Sequence, residues 1–139
     1  MIVAAESGGQ PQGNYARLQS YKTFAMKNAD LFMELVATYR KHGWELRRAL
    51  MQPATLAELK SGEAELLGKV PVKEAEFDAL WFARSAHNNR EAWELRLLAQ
   101  TQYALFETFE ADETEEERDE VRREMEAKLS HRFSPNKTD

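Results

Sequence analysis

Three arginines and a histidine are the residues of this chain best suited to chemistry. Arg47, Arg84 and Arg96 lie in segments that read as strands, and His87 sits in a turn-forming run between two of them. A guanidinium presents a planar fork of donors that matches a carboxylate or a phosphate. If the three converged on one sheet face they would receive an anion, with His87 nearby. The neighbouring acids Glu45, Asp78, Glu94 and Glu107 offer a plainer arrangement, a solvated face of cross-strand ion pairs. A second combination is Glu91 with His87, an acid–base pair if a pocket brings them together.

Other chemistries have no residues to carry them. The chain has no cysteine, which removes disulfides, thiolate nucleophiles and Cys-ligated metals. His42, His87 and His131 have no partner at metal-ligand spacing on a clear element, so no metal is expected. There is no Gly-x-Ser-x-Gly elbow, phosphate-cradling glycine loop or dinucleotide fingerprint. No cofactor is expected.

The charge layout narrows the partners. A formal net charge of -5 argues against general nucleic-acid binding, which needs clustered positive charge. Residues 107–126 carry 11 of the 24 acids, a solvated helix face or a docking surface for a basic partner. No run approaches the roughly 18 apolar residues of a membrane span, and the N-terminus lacks the basic start of a signal peptide. A soluble, cytoplasmic protein is expected.

These residues need elements to position them. The 139 residues make one domain able to fold without staples. Residues 1–20, punctuated by Gly8, Gly9, Pro11 and Gly13, read as a flexible arm, 21–133 as a single α+β domain, and 134–139 as a polar tail. Leu31, Leu35 and Tyr39, with Phe32 and Val36, form a helical stripe within 23–42, and Gly43 is placed to stop it. Trp44 to Met51 reads as a strand, although Arg48 spoils its alternation. Thr55 and Glu58 suit a capping box for a short helix near 55–61. Leu66 to Val72 reads as an edge strand, because Pro71 has no N–H to donate to a neighbouring strand.

Residues 77–110 decide the fold class. Phe77, Ala79, Trp81 and Ala83 alternate with Asp78, Leu80, Phe82 and Arg84. After the turn signal His87-Asn88-Asn89, Trp93, Leu95 and Leu97 alternate with Glu94, Arg96 and Leu98. A third strand follows Thr101-Gln102. The alternative is an all-α bundle, since the same stretch is rich in helix formers. Thr114 to Glu117 form a second capping box, opening a C-terminal helix over 112–131 with Val121, Met125 and Leu129 as a narrow stripe. The expected fold is α+β: an N-terminal helix, a mostly antiparallel sheet of four or five strands, a short helix and a C-terminal helix.

In that fold Leu80, Phe82, Leu98 and Phe106 face away from Trp81, Trp93 and Phe109, so both faces of the sheet are apolar. A bare apolar face is an interface, and a two-fold homodimer covers it most simply. The leading expectation is therefore a non-catalytic interaction module, homodimeric through these four residues, that binds a protein or peptide. The alternatives are the arginine-cluster anion binder and an enzyme using Glu91 and His87.

Overall fold

The computed structural model describes residues 2–3, 27–62 and 65–133. Its elements are β1 (Ile2–Val3), α1 (Asn28–Lys41), β2 (Glu45–Met51), α2 (Pro53–Lys60), β3 (Val72–Glu74), β4 (Ala79–Ser85), β5 (Glu91–Leu97), β6 (Ala104–Phe109) and α3 (Glu115–Phe133). They form one six-stranded sheet in the order β1-β6-β5-β4-β2-β3. Every described pairing is antiparallel except that of β2 with β3. The fold is α+β, and the alternating stretch 77–110 is a meander rather than a bundle. Apart from Ile2 and Val3, which pair with Phe106 and Leu105, the expected arm at 1–20, the start of the first helix and the tail at 134–139 lie outside the described residues.

Local chemistry sets the ends of the elements. Gly43, at φ +88°, takes the left-handed conformation that stops α1. Asn88 and Asn89 both have positive φ, 62° and 61°, and close the β4–β5 hairpin with a bond from the Arg90 amide to the His87 carbonyl. The second capping box forms as its spacing predicts: the Glu117 amide donates to Thr114 Oγ1 at 3.1 Å and the Thr114 amide to Glu117 Oε1 at 2.9 Å.

The first capping box does not form. Helix α2 starts earlier, with Pro53 in its first turn. Buried Thr55 instead donates to Asp78 Oδ2 at 2.8 Å, while the Gln52 amide donates to Asp78 Oδ1 at 2.8 Å. Asp78 thus clamps the entry of α2 to the sheet. Glu58 of α2 in turn accepts from the Ala29 amide at 3.3 Å and caps α1. The edge strand also falls later than expected. Residues 66–69 turn, with Gly68 at φ +58°, and β3 begins only after Pro71.

The sheet is apolar on both faces, and each face is covered within the chain. Leu80, Phe82, Leu98, Ala49 and Met51 pack under Leu31, Phe32 and Leu35 of α1 and Leu59 of α2. On the opposite face Trp81, Trp93, Leu95 and Phe109 pack under Met125 and Leu129 of α3. This corrects the expectation of a bare face. Leu80 and Phe82 are 0% exposed and Leu98 4%, and Phe106 is half-buried against Trp44. None of the first three is available to a second copy. Among the described residues Met33 is the large apolar side chain that remains exposed.

Two substitutions test this packing by urea denaturation. Phe82→Ala is expected to cost roughly 3–5 kcal/mol through the cavity it opens in the α1 face. Asp78→Ala is expected to cost about 1–3 kcal/mol by leaving Thr55 and the Gln52 amide without their acceptor. A loss below about 0.5 kcal/mol in either case would contradict the packing described.

Candidate functional site

A bulge in β2 decides where the arginines go. Leu46 pairs with Phe82 and Arg48 with Trp81, so Arg47 is the extra residue between them. The alternation that Arg48 spoils in the sequence is broken there by the backbone itself. Arg48 lands on the face of Trp81, under α3. The guanidiniums of Arg47 and Arg48 both lie beside the Trp93 ring, 5.9 and 5.5 Å from its centroid.

The expected cluster of Arg47, Arg84 and Arg96 is therefore not assembled. Arg84 and Arg96 lie on the opposite face, in register on either side of Glu94. There Tyr39 of α1 donates its hydroxyl to Glu94 and stacks on Phe82 with centroids 3.9 Å apart. Burial first, then the neighbouring Glu94 charge, pushes the Tyr39 phenol well above its ordinary value. Burial likewise raises the Glu94 carboxyl, opposed by the Tyr39 hydrogen bond and by Arg96 and Arg84. Arg84 donates to the His42 carbonyl at 2.8 Å and lies 4.8 Å from the Trp44 ring. These groups clasp α1 to the sheet.

Glu91 and His87 are not a pair either. Glu91 Oε1 accepts from Arg118 at 3.1 Å and from Trp93 Nε1 at 3.0 Å, while His87 is exposed in the hairpin turn. Among the described residues no group of His, Asp and Glu is arranged to hold a metal ion, and no helix is long and apolar enough to cross a membrane.

The arginine that matters was hidden in α3. Arg122 is 1% exposed and lies over Trp93, 4.4 Å from the ring centroid, and near Phe109 at 5.6 Å. It pairs with Asp119 at 3.1 Å and with Glu115, and Arg48 reaches the same Asp119 at 3.3 Å. Burial raises the Asp119 carboxyl, but the hydrogen bonds from Arg122 and Arg48 outweigh it and hold the group below the usual range. Arg122 Nη1 is buried without a hydrogen-bond partner among the described residues. A signal was present in the sequence. Val121, Met125 and Leu129 make too narrow a stripe for a covered sheet, and Arg122 and Arg118 extend the buried side of the helix one and two turns from Met125 toward its start.

Beside this pair lies a cleft of about 230 Å³ between α3 and the β2–β3 edge. Pro71, Val72, Leu50 and Trp81 supply its apolar wall. Arg48, Lys73, Arg122 and Arg123 line it against two carboxylates, Asp119 and Glu126. Even with Glu115 added, cations outnumber anions here, in a protein whose net charge is -5. Lys73 reaches Glu126 at 3.2 Å, and Trp81 Nε1 donates to the same carboxylate at 2.8 Å. Its cations and apolar wall are complementary to an anion on an apolar stem. The chain matches no family model, no curated protein and no solved structure.

Two outcomes follow from this geometry. Arg122→Ala is expected to lower stability on the order of 2–4 kcal/mol through lost packing over Trp93, and Arg123→Ala, one residue along, by less than about 0.5 kcal/mol; urea titration compares them. Glu94 has a folded pKa above its unfolded value near 4.3, so its contribution is fully present below that value and is lost as pH rises through the folded one. Glu94→Gln is therefore expected to flatten the stability-versus-pH curve above about pH 4.3, and an unchanged slope would contradict the burial of this carboxyl.

Proposed function

We propose that the chain is a non-catalytic interaction module that binds a protein or peptide partner by adding an extended segment to the β3 edge. The supporting observation is that an open strand edge borders the cationic cleft. Strand β3 ends the sheet order and pairs only with β2 among the described residues. The Ala49 amide donates to the Pro71 carbonyl and the Ala75 amide to the Met51 carbonyl, so the odd-numbered residues of this edge turn their backbone groups inward. By the alternation of a strand, Val72 and Glu74 turn their N–H and C=O groups outward. Main-chain hydrogen bonds of this kind supply affinity in strand addition, and adjoining pockets supply selectivity.

The reading fits the closed faces of the sheet. With both apolar faces filled by the chain's own helices among the described residues, the β3 edge and the cleft beside it support binding better than a bare sheet face does. A cytoplasmic setting, expected from the cysteine-free sequence, belongs to the same proposal. The homodimer is not needed for it, since the face that motivated a second copy is already occupied.

Panning a random eight-residue peptide library on the full chain tests the reading. Enriched peptides are expected to alternate apolar and polar residues and to shift the amide resonances of Val72 and Glu74. Glu74→Pro removes one outward donor while sparing the inward ladder, and is expected to abolish binding. Peptides that bind Glu74→Pro as well as the parent, or no enrichment at all, would defeat the proposal.

A further inference from the structure

Resting on that reading, we infer that the partner segment carries an acidic side chain opposite Lys73, and that this carboxylate enters the cleft between β3 and α3. Lys73 pairs with Leu50 in the parallel ladder and sends its ammonium to Glu126 of α3, so its side chain lies on the α3 face. Residues directly opposite each other on neighbouring strands share a face. A residue added across from Lys73 therefore projects over the same cleft, while its two neighbours in the peptide project to the other side.

Lys73 and Arg123 are exposed at the rim of the cleft, with side chains 66% and 63% accessible. Arg48 lies deeper and half-buried. Arg122 lies deepest, with its Nη1 lacking any hydrogen-bond partner among the described residues. The carboxylates already present do not saturate this set. Asp119 is shared by Arg48, Arg122 and Arg123, Glu115 by Arg48 and Arg122, and Glu126 divides its two oxygens between Lys73 and Trp81, so three carboxylates face four cations. One further carboxylate relieves the excess of cations, and charge-assisted bonds to guanidinium are the stronger kind.

Leu50, Val72 and Trp81 border the approach, which suits the methylenes of a Glu side chain rather than a bare inorganic anion. The cleft volume of about 230 Å³ holds such a side chain with room for water. Placed this way the peptide uses backbone bonds along β3 for affinity and the carboxylate for choice of register.

The test uses the full chain and an eight-residue peptide of alternating Val and Thr with one central Glu, compared with its Gln and Lys counterparts and with free glutarate. Trp fluorescence reads the cleft, because Trp81 lines it, and amide shifts at Val72 and Glu74 read the edge. The Glu peptide is expected to bind at least tenfold tighter than the Gln peptide and a further tenfold tighter than the Lys peptide. The Glu-over-Gln preference is expected to shrink severalfold in the exposed-rim variant Arg123→Gln, and again in 0.5 M salt, with the folded-state spectrum unchanged. Equal binding of Glu and Gln peptides, with shifts at β3, would overturn the acidic requirement and leave strand addition standing. Glutarate binding as tightly as the Glu peptide would overturn it in favour of a free small anion. No binding by any of the peptides would remove strand addition and this inference together.

Discussion

A sheet that is apolar on both sides has to be covered twice, and the whole molecule follows from that requirement. Strand β4 is buried along most of its length on both faces, because Leu80 and Phe82 point one way and Ala79, Trp81 and Ala83 the other. Continuous burial of this kind is common where helices lie on both sides of a sheet. Here the chain places α1 and α2 on one side and α3 on the other, so among the described residues both apolar faces of the sheet are covered. The hydrophobic contribution of burying such residues, on the order of 25 cal/mol per Å² of apolar surface, is realised inside one chain.

Covering the α3 face leaves a polar problem, solved by arginine. Helix α3 has few apolar residues, and its first two turns approach Trp93 and Phe109 without a Leu or Ile to fill the gap. Arg122 fills it with its flat guanidinium, and Asp119 and Glu115 on the same helix neutralise it. A guanidinium is weakly hydrated and stacks on aromatic faces, so it tolerates this site better than an ammonium. Arg48 joins the same carboxylates from the sheet, and that is why the cleft beside them is cationic although the surrounding helix surface is acidic.

Much of the architecture was legible in the residues, and the parts that were not have specific causes. The α3 capping box, the glycine stop after α1 and the paired asparagines of the hairpin are local devices whose chemistry is complete within a few residues. The alternation through 77–98 outweighed helical propensity because burial on two faces, not intrinsic preference, decides such a stretch. Long-range features were hidden. Thr55 has the spacing of a cap, but Asp78 from a distant strand takes its hydroxyl. The β2 bulge shifts Arg48 onto the Trp81 face, where an uninterrupted continuation from Leu46 would not place it, while Arg47 lies beside Trp93 on the face opposite Arg84 and Arg96. Arg122 was signalled only by the narrowness of the Val121, Met125 and Leu129 stripe, because a charged residue in an acidic helix reads as solvated until its neighbours across space are known.

One chain closes both faces of its own sheet. The concentration dependence of the urea midpoint measures this directly, since folding that needs a second copy is linked to protein concentration. Over a hundredfold dilution of the peptide-free protein the midpoint is expected to stay constant. A midpoint that falls steadily on dilution would mean that a second molecule completes the core, contrary to the packing of α1, α2 and α3 described above.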